Sequence, residues 1–176
     1  MNFLIDTHCW LWWLSAPERL NAAARRRIAN RRNAVFFSAG SAWEIAIKAA
    51  LGKLRLPEPA ADYVPSRVSS QGMVPLPINQ RHALHLETLP LHHRDPFDRI
   101  LIAQAQTEGL PVLTADSHFQ SYDVKVLWAG PVGGPPTPPA ASLEETSNAV
   151  IRASVYPEAR RRCEHRLGRP EGSWSR

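Results

Sequence analysis

A chain of 176 residues, 44% hydrophobic and 21% charged, has the length for one α/β domain with a short attachment and leaves no room for a two-domain enzyme. No apolar run approaches the roughly 18 residues of a membrane span, and the two cysteines, Cys9 and Cys163, are too few and too far apart for a disulfide framework or a cysteine zinc site. The net charge of +5 favours a polyanionic partner such as nucleic acid.

In chain order, Met1 to Ile5 reads as a short buried strand, with Asp6, Thr7 and His8 offering polar atoms at its carboxyl end. Cys9 to Leu14 begins a tryptophan-rich helical turn. The apolar start lacks a basic leader and is interrupted by Asp6 and His8, so a secretory signal is a poor reading and the cytoplasm is the expected location. Leu20 to Asn30 reads as a helix with Asn21 as N-cap and Arg25 to Arg27 on its exposed side. Ala34 to Phe37 is a second strand. Ser38 to Ser41 supply small capping residues before a helix from Ala42 to Leu51 that Gly52 ends.

The proline-punctuated stretch from Pro57 to Pro77 is expected to hold a helix near Ala60 to Ser70, followed by an extended piece around Val74 to Ile78. His82 to Leu89 reads as a helix broken by Pro90, before the polar loop His92-His93-Arg94. The clearest local signal follows. Asp95 reads as N-cap, Pro96 as the first helical residue, Phe97 to Glu108 as the helix and Gly109 as its stop. Val112 to Thr114 is a buried strand with Asp116 just past its end, and Val124 to Trp128 is the last strand. Strands alternating with helices predict a three-layer α/β/α fold with a central parallel sheet, whose ligands gather at the carboxyl ends of the strands.

The α/β domain is expected over residues 1–129. Residues 130–142 are nearly all proline, glycine and alanine and read as a linker. Residues 143–176 hold Arg160, Arg161 and Arg162 with few large apolar residues, and are expected to be disordered or to form one loosely docked helix. Beyond Ala129, seven lysines and arginines oppose five acids, giving +2 there and leaving +3 on the rest. The basic character is shared along the chain.

Four acids fall where such a fold collects ligands: Asp6, Glu44, Asp98 and Asp116. Each has a plain structural alternative. Asp6 can be an N-cap, Glu44 can pair with Lys48 one turn on, Asp98 can complement a helix dipole, and Asp116 can cap a turn. Asp98, however, shares a helical stripe with Leu101, Ile102 and Ala105, from which Arg99 is displaced. If the four converge, each pair of carboxylates at ~5 Å repels by roughly 3 kcal/mol at an effective dielectric of about 20. Divalent cations relieve such repulsion, and oxygen-only ligands select Mg²⁺, or Mn²⁺ as a substitute, over zinc. The ion would lower the pKa of a bound water and stabilise a leaving oxygen. Thr7, Ser38 and Thr114 are candidates to orient the carboxylates. His92 and His93 read as loop residues before they read as ligands, because adjacent histidines point apart. Trp10, Trp12 and Trp13 read as core or interface anchors before base-stacking platforms.

The motifs LIDTHCWLWWL, SAWEIAIK followed by GKL, HHRDPFDRILIAQA and LTAD, in that order, resemble the PIN-domain ribonuclease toxins of the VapC family of toxin–antitoxin systems. The resemblance covers Met1 to about Trp128. It implies that the acidic quartet falls on Asp6, Glu44, Asp98 and Asp116, with Asp6 and Asp98 as the foremost metal ligands and Asp95 remaining a cap. It further implies Mg²⁺-dependent endonucleolytic cleavage of RNA, homodimerisation, and neutralisation by a small antitoxin whose contacts are expected on the face around Trp10 to Leu14. The proline-rich linker and arginine-rich tail depart from the compact family pattern, which leaves extra RNA affinity as one role for the tail.

Two other phosphate chemistries fit less well. A phosphoacceptor receiver domain needs a lysine after its last strand, whereas Lys125 comes at the start of that strand, and an aspartyl-nucleophile phosphatase needs a second Asp two residues after Asp6, where His8 stands. The rival of a different class is a catalytically silent PIN-fold module that binds RNA or an antitoxin.

Overall fold

The computed structural model describes residues 1–131, 133 and 134, so most of the expected linker over 130–142, and all of the tail over 143–176, lie outside the described residues. The described part begins with β1 (Asn2–Ile5), α1 (Thr7–Ser15), a 3₁₀ turn at Pro17–Arg19 and α2 (Ala22–Ala29). Next come β2 (Ala34–Ser38), α3 (Ala39–Ala50), α4 (Ala60–Ser70), β3 (Val74–Leu76) and α5 (Gln80–His85). The series closes with α6 (Pro96–Glu108), β4 (Val112–Thr114), a 3₁₀ turn at Ser117–Ser121 and β5 (Val126–Trp128).

The five strands form one parallel sheet in the order β3-β2-β1-β4-β5. β1 is central, with Phe3 beside Val35 on one edge and Leu4 beside Val112 on the other. Successive side chains of a strand point to opposite faces. Phe3, Ile5, Val35, Phe37, Leu113 and Leu127 therefore enter one core, together with Trp10, Ala24, Ile45 and Val64 from the helices of that side. Leu4 and Val112 enter the other, built on Ile100, Leu101, Ile102 and Ala105 of α6. A sheet covered on both faces needs apolar residues at every position of its central strand, which FLI provides.

Local caps account for most helix boundaries. Asn21 accepts the Ala24 N–H at 2.8 Å, and its amide also holds the carbonyls of Trp128 and Gly130. Asp95 accepts the Phe97 N–H at 2.8 Å to start α6, and Gly109, at φ 63°, ends it in the left-handed region open to glycine. Three helix starts come earlier than the sequence pattern predicts, α1 at Thr7 and two that caps explain. α3 begins at Ala39 because Ser38 caps the Gly40 N–H at 2.8 Å, and α5 begins at Gln80 because Asn79 and His82 form a reciprocal capping box. The apolar periodicity on which the later starts rested begins only after the capped turn. No helix among the described residues is long and apolar enough to cross a membrane.

Gly40 lies where α3 crosses α6: a Cβ there would stand 2.8 Å from Ile100 Cγ2, and Ile100 is only 4% exposed. Gly40→Ala is expected to lower stability by about 1–2 kcal/mol through overpacking, outweighing the gain in helix propensity. A urea midpoint that stays put or rises would show that Ile100 has room to give way.

Candidate active site

The chain winds from β1 outward to β2 and β3, then returns to the opposite side for β4 and β5, which opens a crevice at the carboxyl ends of β1 and β4. Asp6 directly follows β1 and is 2% exposed. It stands at the N-cap position of α1, yet its side chain caps nothing. Instead the Thr114 hydroxyl, at the end of β4, donates to Asp6 Oδ2 at 2.5 Å. The same oxygen lies 3.0 Å from His8 Nδ1, and His8 is steadied from its other side by the Ala115 N–H, which donates to Nε2 at 3.2 Å. The cap alternative for Asp6 thus lacks the one hydrogen bond that defines it.

Thr114 serves two acids at once. Its oxygen also accepts the Asp116 N–H at 2.9 Å, which fixes the backbone that carries the Asp116 carboxylate. Asp116 Oδ1 accepts the His118 N–H at 2.8 Å and stands 2.7 Å from His118 Nδ1. Asp116 is therefore a turn cap, as its plain alternative predicts, and an edge of the acidic crevice as well. Asp98 arrives from the first turn of α6, with its Oδ2 3.3 Å from His93 Nδ1. Glu44 arrives from α3, is buried, and pairs with Lys48 one turn on.

The electrostatics link these groups. Burial pushes the Asp98 carboxyl well above the usual carboxylate range, and the fields of Asp6, Asp95, Asp116 and Glu44 push it further. Burial opposes charge on His8, but Asp6, Asp116 and Glu44 overcome it and hold its pKa above the ordinary value. Lys48 is likewise partly desolvated, and its bond to Glu44 with the fields of Asp95 and Asp98 raises its pKa. His93 goes the other way, lowered by burial and by His118. Asp6, Asp95, Asp116 and Glu44 therefore stand near enough to Asp98 for their charges to act on it, with Lys48 beside Glu44 and His8 beside Asp6.

Of the hydroxyls expected to orient these acids, Thr114 bonds Asp6 directly. Thr7 donates to Ser41 at 2.9 Å, and Ser38 donates to Gln104 at 2.5 Å, so both hydroxyls are spent on helix placement. The sequence pattern marks His8 only as a polar residue at the end of the first strand and assigns no role to His118 or Arg99. Arg99 binds the carbonyls of Leu86, Leu89 and Pro90 at 2.7–3.1 Å and so pins the loop that ends in His93. Its displacement from the apolar stripe of α6 was the available signal. Trp10 is fully buried against Phe37 and Tyr63, which removes it from any exposed face, whereas Trp12 and Trp13 remain half-exposed.

The acids around Asp98 offer carboxylate oxygen throughout and raise the proton affinity of Asp98, which is the chemistry of a site that fits a hard divalent cation. Residues 3–125 match the PIN domain family, and the chain belongs to it. A stretch of 54 residues is 52% identical to Ribonuclease VapC16 of Mycobacterium tuberculosis (strain ATCC 25618 / H37Rv). That stretch is 31% of this chain and 38% of the relative, so the match spans well under half of the curated protein's length. Among solved structures, VapBC2 from Rickettsia felis bound to a DNA fragment from their promoter superposes with a TM-score of 0.56 at 12% identity, over 73% of this chain and 98% of that one. DNA-bound VapBC from Salmonella typhimurium gives 0.55 at 19% identity, over 72% and 97%. At these identities the likeness shows the fold.

A carboxyl with a raised pKa binds its proton more tightly folded than unfolded, so without metal its contribution to stability falls as pH rises from the unfolded value through the folded one. Asp98→Asn is accordingly expected to raise the melting temperature in EDTA at pH 7, with the advantage shrinking at acid pH. A variant that melts below the parent at pH 7 would contradict the strain assigned to this carboxyl.

Proposed function

We propose that this chain is a Mg²⁺-dependent endoribonuclease, with Mn²⁺ as a possible substitute ion, that acts as the toxin of a toxin–antitoxin pair. The observation that carries the reading is the raised proton affinity of Asp98 among Asp6, Asp95, Asp116 and Glu44: the crevice holds more negative charge than Lys48 and His8 can answer. RNA as substrate rests on the 52% identity to a protein named as a ribonuclease and on the basic balance of the chain. A small antitoxin partner rests on the likeness to VapBC assemblies, with the half-exposed Trp12, Trp13 and Leu14 as its contact face. Homodimerisation and a cytoplasmic location complete the reading.

Asp6, Asp98, Glu44 and Asp116 would hold the ion, which when bound supplies an acidified water and positive charge at the leaving oxygen. The protein's own part is positional. Thr114 holds Asp6 and Asp116 in one register, His8 keeps Asp6 from turning into its helix, and Arg99 fixes the loop beside Asp98. The proposed domain is residues 1–129, with the linker over 130–142 and the basic tail over 143–176 adding affinity for RNA.

The purified full chain is expected to cleave RNA in Mg²⁺ or Mn²⁺ and to stop in EDTA. Asp6→Asn or Asp98→Asn should each lower the rate by at least ~100-fold with an unchanged circular dichroism spectrum. Undiminished cleavage by these variants would overturn the assignment, and loss of cleavage in the parent with retained RNA or antitoxin binding would favour a silent module. Thr114→Val should weaken the apparent Mg²⁺ affinity by roughly 10–100-fold, with much of the rate recovered at saturating Mg²⁺. A rate loss that Mg²⁺ cannot recover would count against an orienting role for this hydroxyl.

A further inference from the structure

Beside the carboxylate crevice stands a second donor set of different chemistry. His93, from the loop before α6, and His118, from the turn after β4, bring their rings to a centroid separation of 4.7 Å at 58°. With the Asp116 carboxylate they offer three ligand atoms that all lie within 4.8 Å of one another. We infer that His93, Asp116 and His118 form a site for a borderline transition-metal cation, Zn²⁺ being the type ion, separate from the all-oxygen site yet sharing Asp116 with it.

The donor types decide the ion. Imidazole suits Zn²⁺, Co²⁺ and Ni²⁺, whereas Mg²⁺ takes oxygen ligands and gives up its water reluctantly. Two histidines and one carboxylate form a three-ligand set that leaves a fourth tetrahedral position to water. Bonds of 2.0–2.1 Å place neighbouring ligands of a tetrahedral zinc about 3.4 Å apart, so donors already within 4.8 Å need only a small side-chain movement. All three side chains are between 20% and 32% exposed, open enough for an ion to enter and buried enough to hold their rotamers.

The surroundings fix the donors. The Tyr122 hydroxyl accepts the His93 N–H at 2.7 Å, Arg99 ties down the preceding loop, and the turn at Asp116 carries His118. Without a cation, two imidazoles this close gain nothing from one another when protonated; a shared ion turns the approach into ligation. Asp116 belongs to both donor sets, so Zn²⁺ and Mg²⁺ would compete for its carboxylate.

Binding is read on the full chain without RNA, which separates it from the ribonuclease reading. Co²⁺ titrated into metal-free protein should give one equivalent of visible d–d absorption, displaced by Zn²⁺ and weakened but not abolished by millimolar Mg²⁺, which shares Asp116. His93→Gln with His118→Gln should weaken Co²⁺ binding by at least ~100-fold, and the more exposed His118→Gln alone should weaken it measurably with an unchanged melting temperature. Asp6→Asn should leave the affinity within ~3-fold. Co²⁺ binding that survives in the double variant would place the ion on other histidines or cysteines and overturn the proposal. An equal loss in Asp6→Asn would assign the ion to the oxygen site and overturn it too, as would the absence of any Co²⁺ spectrum from the parent.

Discussion

The contact between the Thr114 hydroxyl and Asp6 joins the central strand β1 to its neighbour β4, at the point where the strand order switches from one side of β1 to the other. An ionised carboxylate at 2% exposure is costly unless its lone pairs are answered. Thr114 and His8 answer one oxygen, which leaves the rest of the group available to the crevice. Because the same Thr114 oxygen takes the Asp116 N–H, one hydroxyl sets the spacing of two acids carried by different strand ends. The sheet register at Ile5 and Leu113 is thereby expressed as a distance between functional groups.

Around this contact the site is a balance of like charges held close. α6 contributes Asp98 with its N-terminal dipole, and α3 contributes Glu44 already accompanied by Lys48. Neither neutralises the set, so Asp98 retains an elevated proton affinity. The close crossing of α3 over α6 at Gly40 keeps the two helices near enough for their acids to interact. Packing and electrostatics oppose each other here, and the cores on both faces of the sheet supply the packing.

How much of this could be read from the sequence depended on how local each signal was. The α6 signature is written in consecutive residues, Asp95-Pro96 to Gly109, and the structure reproduces it. The central strands were legible because FLI and VLT are apolar on both faces. The start of α3 was read three residues late because Gly40 resembles a loop residue until its packing against Ile100 is known. Asp6 had a local excuse as a cap that only the direction of its side chain removes. The meeting of His93 and His118 is tertiary, since the two lie on separate elements and nothing in either neighbourhood announces the other.

The bond that closes the crevice spans 108 residues, from just after β1 to the end of β4. During translation Asp6 emerges early and its partner only after most of the domain has been made, a lag on the order of 5–20 s at ordinary elongation rates. A nascent chain therefore carries a lone carboxylate and no crevice. On the proposed ribonuclease reading, the ribosome that makes this protein works on an inert intermediate until β4 has emerged.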